Sequence, residues 1–236
     1  MTTLDFDAFD VLTFDCYGTL IDWEAGLLAA MRPPLAAHHL GVNLPDDAIL
    51  EAFARHESEI ESGPYRRYRD VLGQVLKAML GHLGQTPTVE EVAAFGGSVA
   101  DWPAFPDSTD ALARLHERFK LGVITNCDDD LFAASEARLG TKFDWVVTAE
   151  QARRYKPNPR GFELMFERVG LPPARILHVA QSLFHDHVTA KRLGLSTVWV
   201  DRRGDRPGSG ATPPAEATPD FRVPDMATLA AVAVPA

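Results

Sequence analysis

The sequence predicts an α/β fold: a doubly wound parallel sheet, helices on both faces, and a helical insertion after the first strand. Three observations carry this. An apolar run, Val11, Leu12 and Phe14, ends in Asp15 beside a turn that holds Gly18, the pattern of a buried strand delivering a carboxylate to its C-terminal end. The stretch that follows has helical spacing and no convincing strand. From Asp107 onward helix and strand patterns alternate, which calls for right-handed crossovers and a sheet covered on both faces. Residues 1–20 and 101–236 are thus expected to form a Rossmann-like core domain, and 21–100 a helical cap domain.

In the insertion, Asp22 to His39 carries Leu27, Leu28, Met31 and Leu35 on one face, and Pro33-Pro34 is expected to kink or restart that helix. Asp46 can cap a second helix through Ile49, Leu50 and Phe53 towards Ser62-Gly63. Pro64 is expected at the start of a third, with Tyr68, Val71, Leu72, Val75, Leu76 and Met79 at periods of three and four. Thr88 opens a fourth through Val89, Val92 and Phe95. In the alternating part, Leu112, Leu115 and Phe119 predict a helix, Leu121 to Thr125 a strand, Asp130 to Leu139 a helix, and Trp145 to Thr148 a short strand. Phe162 to Val169 follows as helix, Ile176 to Ala180 as strand, Val188 to Leu193 as helix and Thr197 to Val200 as strand. Gly204 to Pro219, rich in Gly, Pro, Ala and Thr, predicts a surface loop, Phe221 to Val223 an edge strand, and Met226 to Val232 a last helix.

With 236 residues, 46% hydrophobic and 24% charged, the composition is that of a globular protein with a sizeable core. A net charge of -10 and the absence of a basic stripe argue against nucleic acid. MTTLDFDAFD has neither a basic nor a long apolar region, and no stretch approaches about 18 apolar residues, so a cytoplasmic protein without membrane contact is expected. Cys16 and Cys127 make no disulfide framework; each follows a strand end and reads as a small residue filling a tight loop.

The residues that could carry chemistry stand at strand ends, where an open sheet binds its ligands. The run Phe14 to Leu20, FDCYGTL, resembles the first motif of the haloacid dehalogenase superfamily, whose first Asp is a nucleophile. Family phosphatases carry a general-acid Asp two residues further on; Tyr17 stands there instead, as in the (S)-2-haloacid dehalogenase branch. The replacement makes chemical sense, because halide leaves without a proton whereas an alkoxide needs one. Thr125-Asn126 resembles the second motif, Lys156-Pro157 the third, and HVAQSLFHDH, from His178 to His187, the fourth. Ala180 and Gln181 interrupt the paired acids with which phosphatases bind magnesium, and the fourth motif offers Ser182 and Asp186, no Asn, and one extra residue between strand and helix.

The resemblance covers nearly the whole chain. It implies a hydrolytic dehalogenase that converts a small 2-haloalkanoic acid to the 2-hydroxy acid through an ester on Asp15, with no metal or other cofactor. Lys156 would hold that carboxylate in line, and Thr19 and Thr125 would orient the acid. Water would be activated near Lys156, Ser182 and Asp186. An Arg on a cap helix meets the halide and carboxylate in the resembling dehalogenases, and Arg55 in AFARHE occupies the comparable stretch, with Tyr65, Arg66, Tyr68 and Arg69 as rivals. Asn126 would join the halide cradle, and Tyr17 and Phe184 would line the substrate. Where these dehalogenases have a Tyr six residues after the motif Lys, this chain has Phe162. His185 and His187, at i and i+2, diverge on a helix or strand and are not expected to share a metal, but one could act as a base near neutral pH. The rival readings are a magnesium-dependent phosphatase, a hydrolase of another 2-substituted acid of the azetidine-2-carboxylate type, and a silent binding protein. The apolar faces of the cap helices leave room for a homodimer.

Overall fold

The computed structural model describes residues 4–40, 44–204 and 212–235. Its strands are β1 (Val11–Phe14), β2 (Lys120–Thr125), β3 (Trp145–Thr148), β4 (Ile176–Ala180), β5 (Ser196–Val200) and β6 (Phe221–Val223). They form one sheet in the order β3-β2-β1-β4-β5-β6, parallel throughout. The doubly wound sheet read from the sequence is the one observed. In register, Phe14 faces Val123 on one side and Val179 on the other, so the ends of β1, β2 and β4 come level. The winding reverses beside β1, and the crevice that this opens lies just beyond Asp15.

The insertion consists of α1 (Trp23–Ala37), α2 (Asp46–Glu61), α3 (Tyr68–His82) and α4 (Val89–Gly97). The core adds α5 (Ser108–His116), α6 (Asp129–Leu139), α7 (Ala149–Ala152), α8 (Arg160–Val169), α9 (Val188–Arg192) and α10 (Met226–Ala233). One side of the sheet buries Val11, Ile124, Val147 and Ile176 against Phe162, Met165 and Ala190 of α8 and α9. The other side belongs to a larger apolar cluster that runs on into the insertion, from Leu12 and Phe14 through Trp23 and Phe53 to Leu72 and Leu76.

Several boundaries differ from the sequence reading. Helix α1 runs through Pro33 and Pro34 without restarting; the buried stripe Leu27, Met31, Pro34 and Leu35 holds it together across the lost backbone donors. Helix α3 begins at Tyr68 and not at Pro64, because its first turn is capped from elsewhere. The backbone N–H groups of Tyr68 and Arg69 donate to the two carboxylate oxygens of buried Asp128, at 2.8 and 3.1 Å, from the loop after β2. Arg67 and Arg69 reinforce that junction through ion pairs with Asp130, and Arg67 pairs also with Glu150. Short α7 escaped the sequence pattern, and Phe119 lies beyond the end of α5, still buried. Residues 183–187, between the expected strand and helix, form a π turn, Leu183–His187, which accommodates one residue more than an α turn. Of the expected loop 204–219, residues 205–211 lie outside the described residues.

Candidate active site

Asp15 is buried at the end of β1, and each of its oxygens is bonded. Lys156 Nζ donates to Oδ1 at 2.8 Å, and Thr19 Oγ1 donates to Oδ2 at 2.7 Å. The turn that allows this needs Gly18, whose φ of +94° suits glycine and where a Cβ would come within 3.0 Å of the Trp23 indole nitrogen. Thr19 is fixed in turn, since its hydroxyl accepts from the backbone N–H of Gln181 at 2.9 Å.

The Lys156 ammonium donates to three acceptors: Asp15 Oδ1, Asp186 Oδ1 at 2.7 Å and the Ile124 carbonyl at 2.9 Å. Its backbone is held by Asn126, whose Oδ1 accepts from Lys156 N at 2.7 Å and whose Nδ2 donates to Lys156 O at 3.1 Å. Burial alone would discharge such a lysine. Asp15 and Asp186 outweigh it and push the ammonium up to about 12. Burial pushes the Asp15 carboxyl above its ordinary value, against the opposing pull of Lys156. Asp186 goes the other way: despite burial, Lys156 and His178 hold it well below the carboxylate range. Behind it a buried chain continues, with His178 Nε2 3.1 Å from Asp186 Oδ1 and His178 Nδ1 2.9 Å from Thr13 Oγ1.

These groups form the floor of a cavity. Asp15, Tyr17, Asn126, Lys156, Ser182 and His185 line it from the sheet side, and Trp23, Glu57, Glu61 and Tyr68 from the insertion, together with Thr212. Of the residues singled out in the sequence, Asp15, Thr19, Lys156 and Asp186 are joined directly, while Tyr17, Asn126 and Ser182 share the cavity. Ser182 Oγ accepts from His185 N at 2.9 Å and lies 3.2 Å from His185 Nδ1. Burial pushes the His185 and His187 imidazoles down to about 4, and His187 turns away to donate from Nε2 to the Ala180 carbonyl.

Others fall elsewhere. The Thr125 hydroxyl is buried without a partner among the described residues and makes no hydrogen bond to Asp15. Arg55 is exposed and off the cavity; on an α-helix it lies about 200° around the axis from Glu57, which puts it on the far face of α2. Phe184 packs edge-on against the His185 ring, 5.0 Å between centroids, and does not line the cavity. Arg66 and Arg69 do not line it either, and of the rival cap residues only Tyr68 does. Phe162 is buried against the His178 ring at 4.9 Å. Both thiols are buried, which pushes Cys16 and Cys127 above their ordinary values, as expected of residues that fill loops.

Sequence reasoning missed Glu57, Glu61, His178 and Thr13. The signals were present: Glu57 and Glu61 fall on the apolar stripe of α2, and His178 interrupts a strand that is otherwise wholly apolar.

Fold and site together define a capped α/β protein with a buried carboxylate–ammonium pair at the end of its central strand. The haloacid dehalogenase-like hydrolase family model matches residues 9–194. The chain is 30% identical over 224 residues to haloacetate dehalogenase H-2 of Moraxella sp. strain B, covering 92% of this chain and 94% of that one. It is 28% identical over 198 residues to an (S)-2-haloacid dehalogenase of Xanthobacter autotrophicus, covering 81% and 74%. The fold matches the solved structure of L-2-haloacid dehalogenase from Xanthobacter autotrophicus with a TM-score of 0.77 and 24% identity, over 94% of this chain and 97% of that one. The chain belongs to the haloacid dehalogenase-like hydrolases. No helix among the described residues is long and apolar enough to cross a membrane.

Proposed function

We propose that the chain hydrolyses a carbon–halogen bond of a small 2-halo acid, with Asp15 as the nucleophile. The observation that carries this is the fixing of Asp15 by Lys156 and Thr19 at the floor of a cavity. A carboxylate is a weak nucleophile in water, and desolvation together with aim makes it a useful one. An Asp15 oxygen attacks the carbon that bears the halogen, the carbon–halogen bond breaks, and halide leaves with the electron pair. Inversion at that carbon gives an ester with the enzyme.

Water then adds to the carboxyl carbon of the ester. Ser182 and His185, which stand together on the cavity wall, are the groups we assign to it. His185 is uncharged near neutral pH and can accept the proton of the water. The bond between the carboxyl carbon and the substrate oxygen breaks, His185 returns its proton to that oxygen so that the 2-hydroxy acid leaves, and the Asp15 carboxyl gives up the proton remaining from the water, which restores its carboxylate. Lys156 supplies the positive charge opposite the carboxylate in both steps. The L-2-haloacid dehalogenase from Xanthobacter autotrophicus has been solved with chloropropionic acid covalently bound, which supports reading a covalent step here.

The residues present do not fit a magnesium ion. The Lys156 ammonium bonds both Asp15 and Asp186, and Ala180 and Gln181 stand where paired acids would be needed. The test is halide release from each enantiomer of 2-chloropropionate, without added metal, by the wild type and Asp15→Asn. Release from one enantiomer, reduced about 10³-fold or more by the substitution, is expected. Undiminished release by the variant would remove Asp15 from the reaction.

A further inference from the structure

Two side chains of the cavity have no part in the reaction described above. Glu57 and Glu61 stand one turn apart on α2 and reach the same cavity as Asp15. Glu57 is only 5% exposed; its Oε1 accepts from the Tyr68 hydroxyl at 2.7 Å, and no described residue bonds its other oxygen. Glu61 Oε1 is buried and has no partner among the described residues. Helix stability explains neither residue. Like charges at i and i+4 destabilise a helix, and a buried carboxyl without a donor costs free energy. The stripe they continue is otherwise apolar, with Ile49, Leu50, Phe53 and Ala54 buried along it.

Apart from the Tyr68 hydroxyl on one Glu57 oxygen, no donor of the described cavity wall bonds either carboxyl. Lys156, its one cation, has already committed its three N–H groups to Asp15, Asp186 and Ile124. His185 is uncharged near neutral pH. The wall therefore offers spare acceptors and no spare cation. A metal ion does not match this pattern, because no three carboxyl, imidazole or thiol groups gather among the described residues as one ion's ligands. An ammonium group does match it, since it donates in several directions and brings the charge that lets both carboxyls ionise.

We infer that the cavity selects a substrate bearing an ammonium group, held by Glu57 and Glu61 while the reacting carbon faces Asp15. The inference rests on the proposed reaction for its orientation and narrows its substrate: the preferred 2-halo acid is an amino-substituted one.

The test pairs ligands that differ only in that group. Propanoate and 3-aminopropanoate are titrated calorimetrically into wild type, Glu57→Gln and Glu61→Gln, alongside halide release from 2-chloropropanoate and 3-amino-2-chloropropanoate. In the wild type the amino ligand is expected to bind tighter by about tenfold or more, and each Gln variant to lose most of that preference. Equal affinities in the wild type, including no binding of either, would overturn the inference, as would a preference that survives both substitutions. Binding that follows the expected pattern, with no halide released from either chlorinated acid, would sink the proposed reaction and leave the ammonium site standing.

Discussion

The two walls of the cavity are built on opposite principles. On the sheet side, the charged groups are paired: Asp15, Lys156 and Asp186 share short hydrogen bonds, and Thr19 and Asn126 hold the ends in place. On the insertion side, Glu61 Oε1 is buried with no partner among the described residues, and of the Glu57 oxygens only Oε1 is bonded there, by the Tyr68 hydroxyl. Preorganised charge of the first kind can aim a reaction, because nothing must move when it begins. Unsatisfied acceptors of the second kind wait for something to arrive. One wall suits chemistry and the other recognition.

The largest expected effect tests the paired wall. Lys156→Met leaves two carboxylates facing each other in a buried site, so activity should fall about 10³-fold or more, and stability by roughly 3–5 kcal/mol in denaturant unfolding. A variant as stable as the wild type would mean that the pairing is not what holds this side together.

Glu57→Gln tests the opposite wall, and the sign there is reversed. Burial raises the Glu57 carboxyl to about 7 from an ordinary value of 4.5. Between those values the folded state holds the extra proton, so stability falls as pH rises from about 4.5 to 7 and stays low above that. The shift corresponds to about 3 kcal/mol. At pH 8 the Gln variant should therefore melt above the wild type, and at pH 4 the two should nearly coincide. A variant that melts lower at pH 8 would show that the ionised Glu57 is satisfied by the fold itself.

Smaller effects sharpen the contrast. Asp128→Ala removes the cap of α3, with an expected loss of about 1–2 kcal/mol in thermal or denaturant unfolding. Arg55→Ala should change stability by no more than about 0.5 kcal/mol and leave turnover unaltered, since its side chain lies in solvent off the cavity. Abolished turnover in that variant would bring Arg55 back to the substrate and break the division drawn here.

The two walls also differed in how far the sequence revealed them. Asp15, Thr19 and Gly18 lie in one short run, and Lys156 precedes a proline in a pattern that resembles a family motif, so local reading reached them. The parallel sheet was legible for the same reason: a strand buried on both faces is a continuous apolar run. What a side chain meets across the insertion is a matter of helix rotation and docking. Arginine was the natural residue to look for near a carboxylate substrate, but Arg55 turned outward while the acids two and six residues on turned in. Helix α1 ran on through Pro33 and Pro34 because tertiary packing overrode a local propensity.

The capping of α3 by Asp128 bears on how this architecture can be recombined. A helix in the insertion takes its first-turn acceptor from the loop that follows β2, a distant part of the chain. Helices α1 to α4, grafted onto another sheet of the same shape, would carry α3 with its opening N–H groups bare. The graft would fray there unless the host loop also offered a carboxylate at that place. Cap and core are separate in sequence order, but as parts for exchange they come as a matched set.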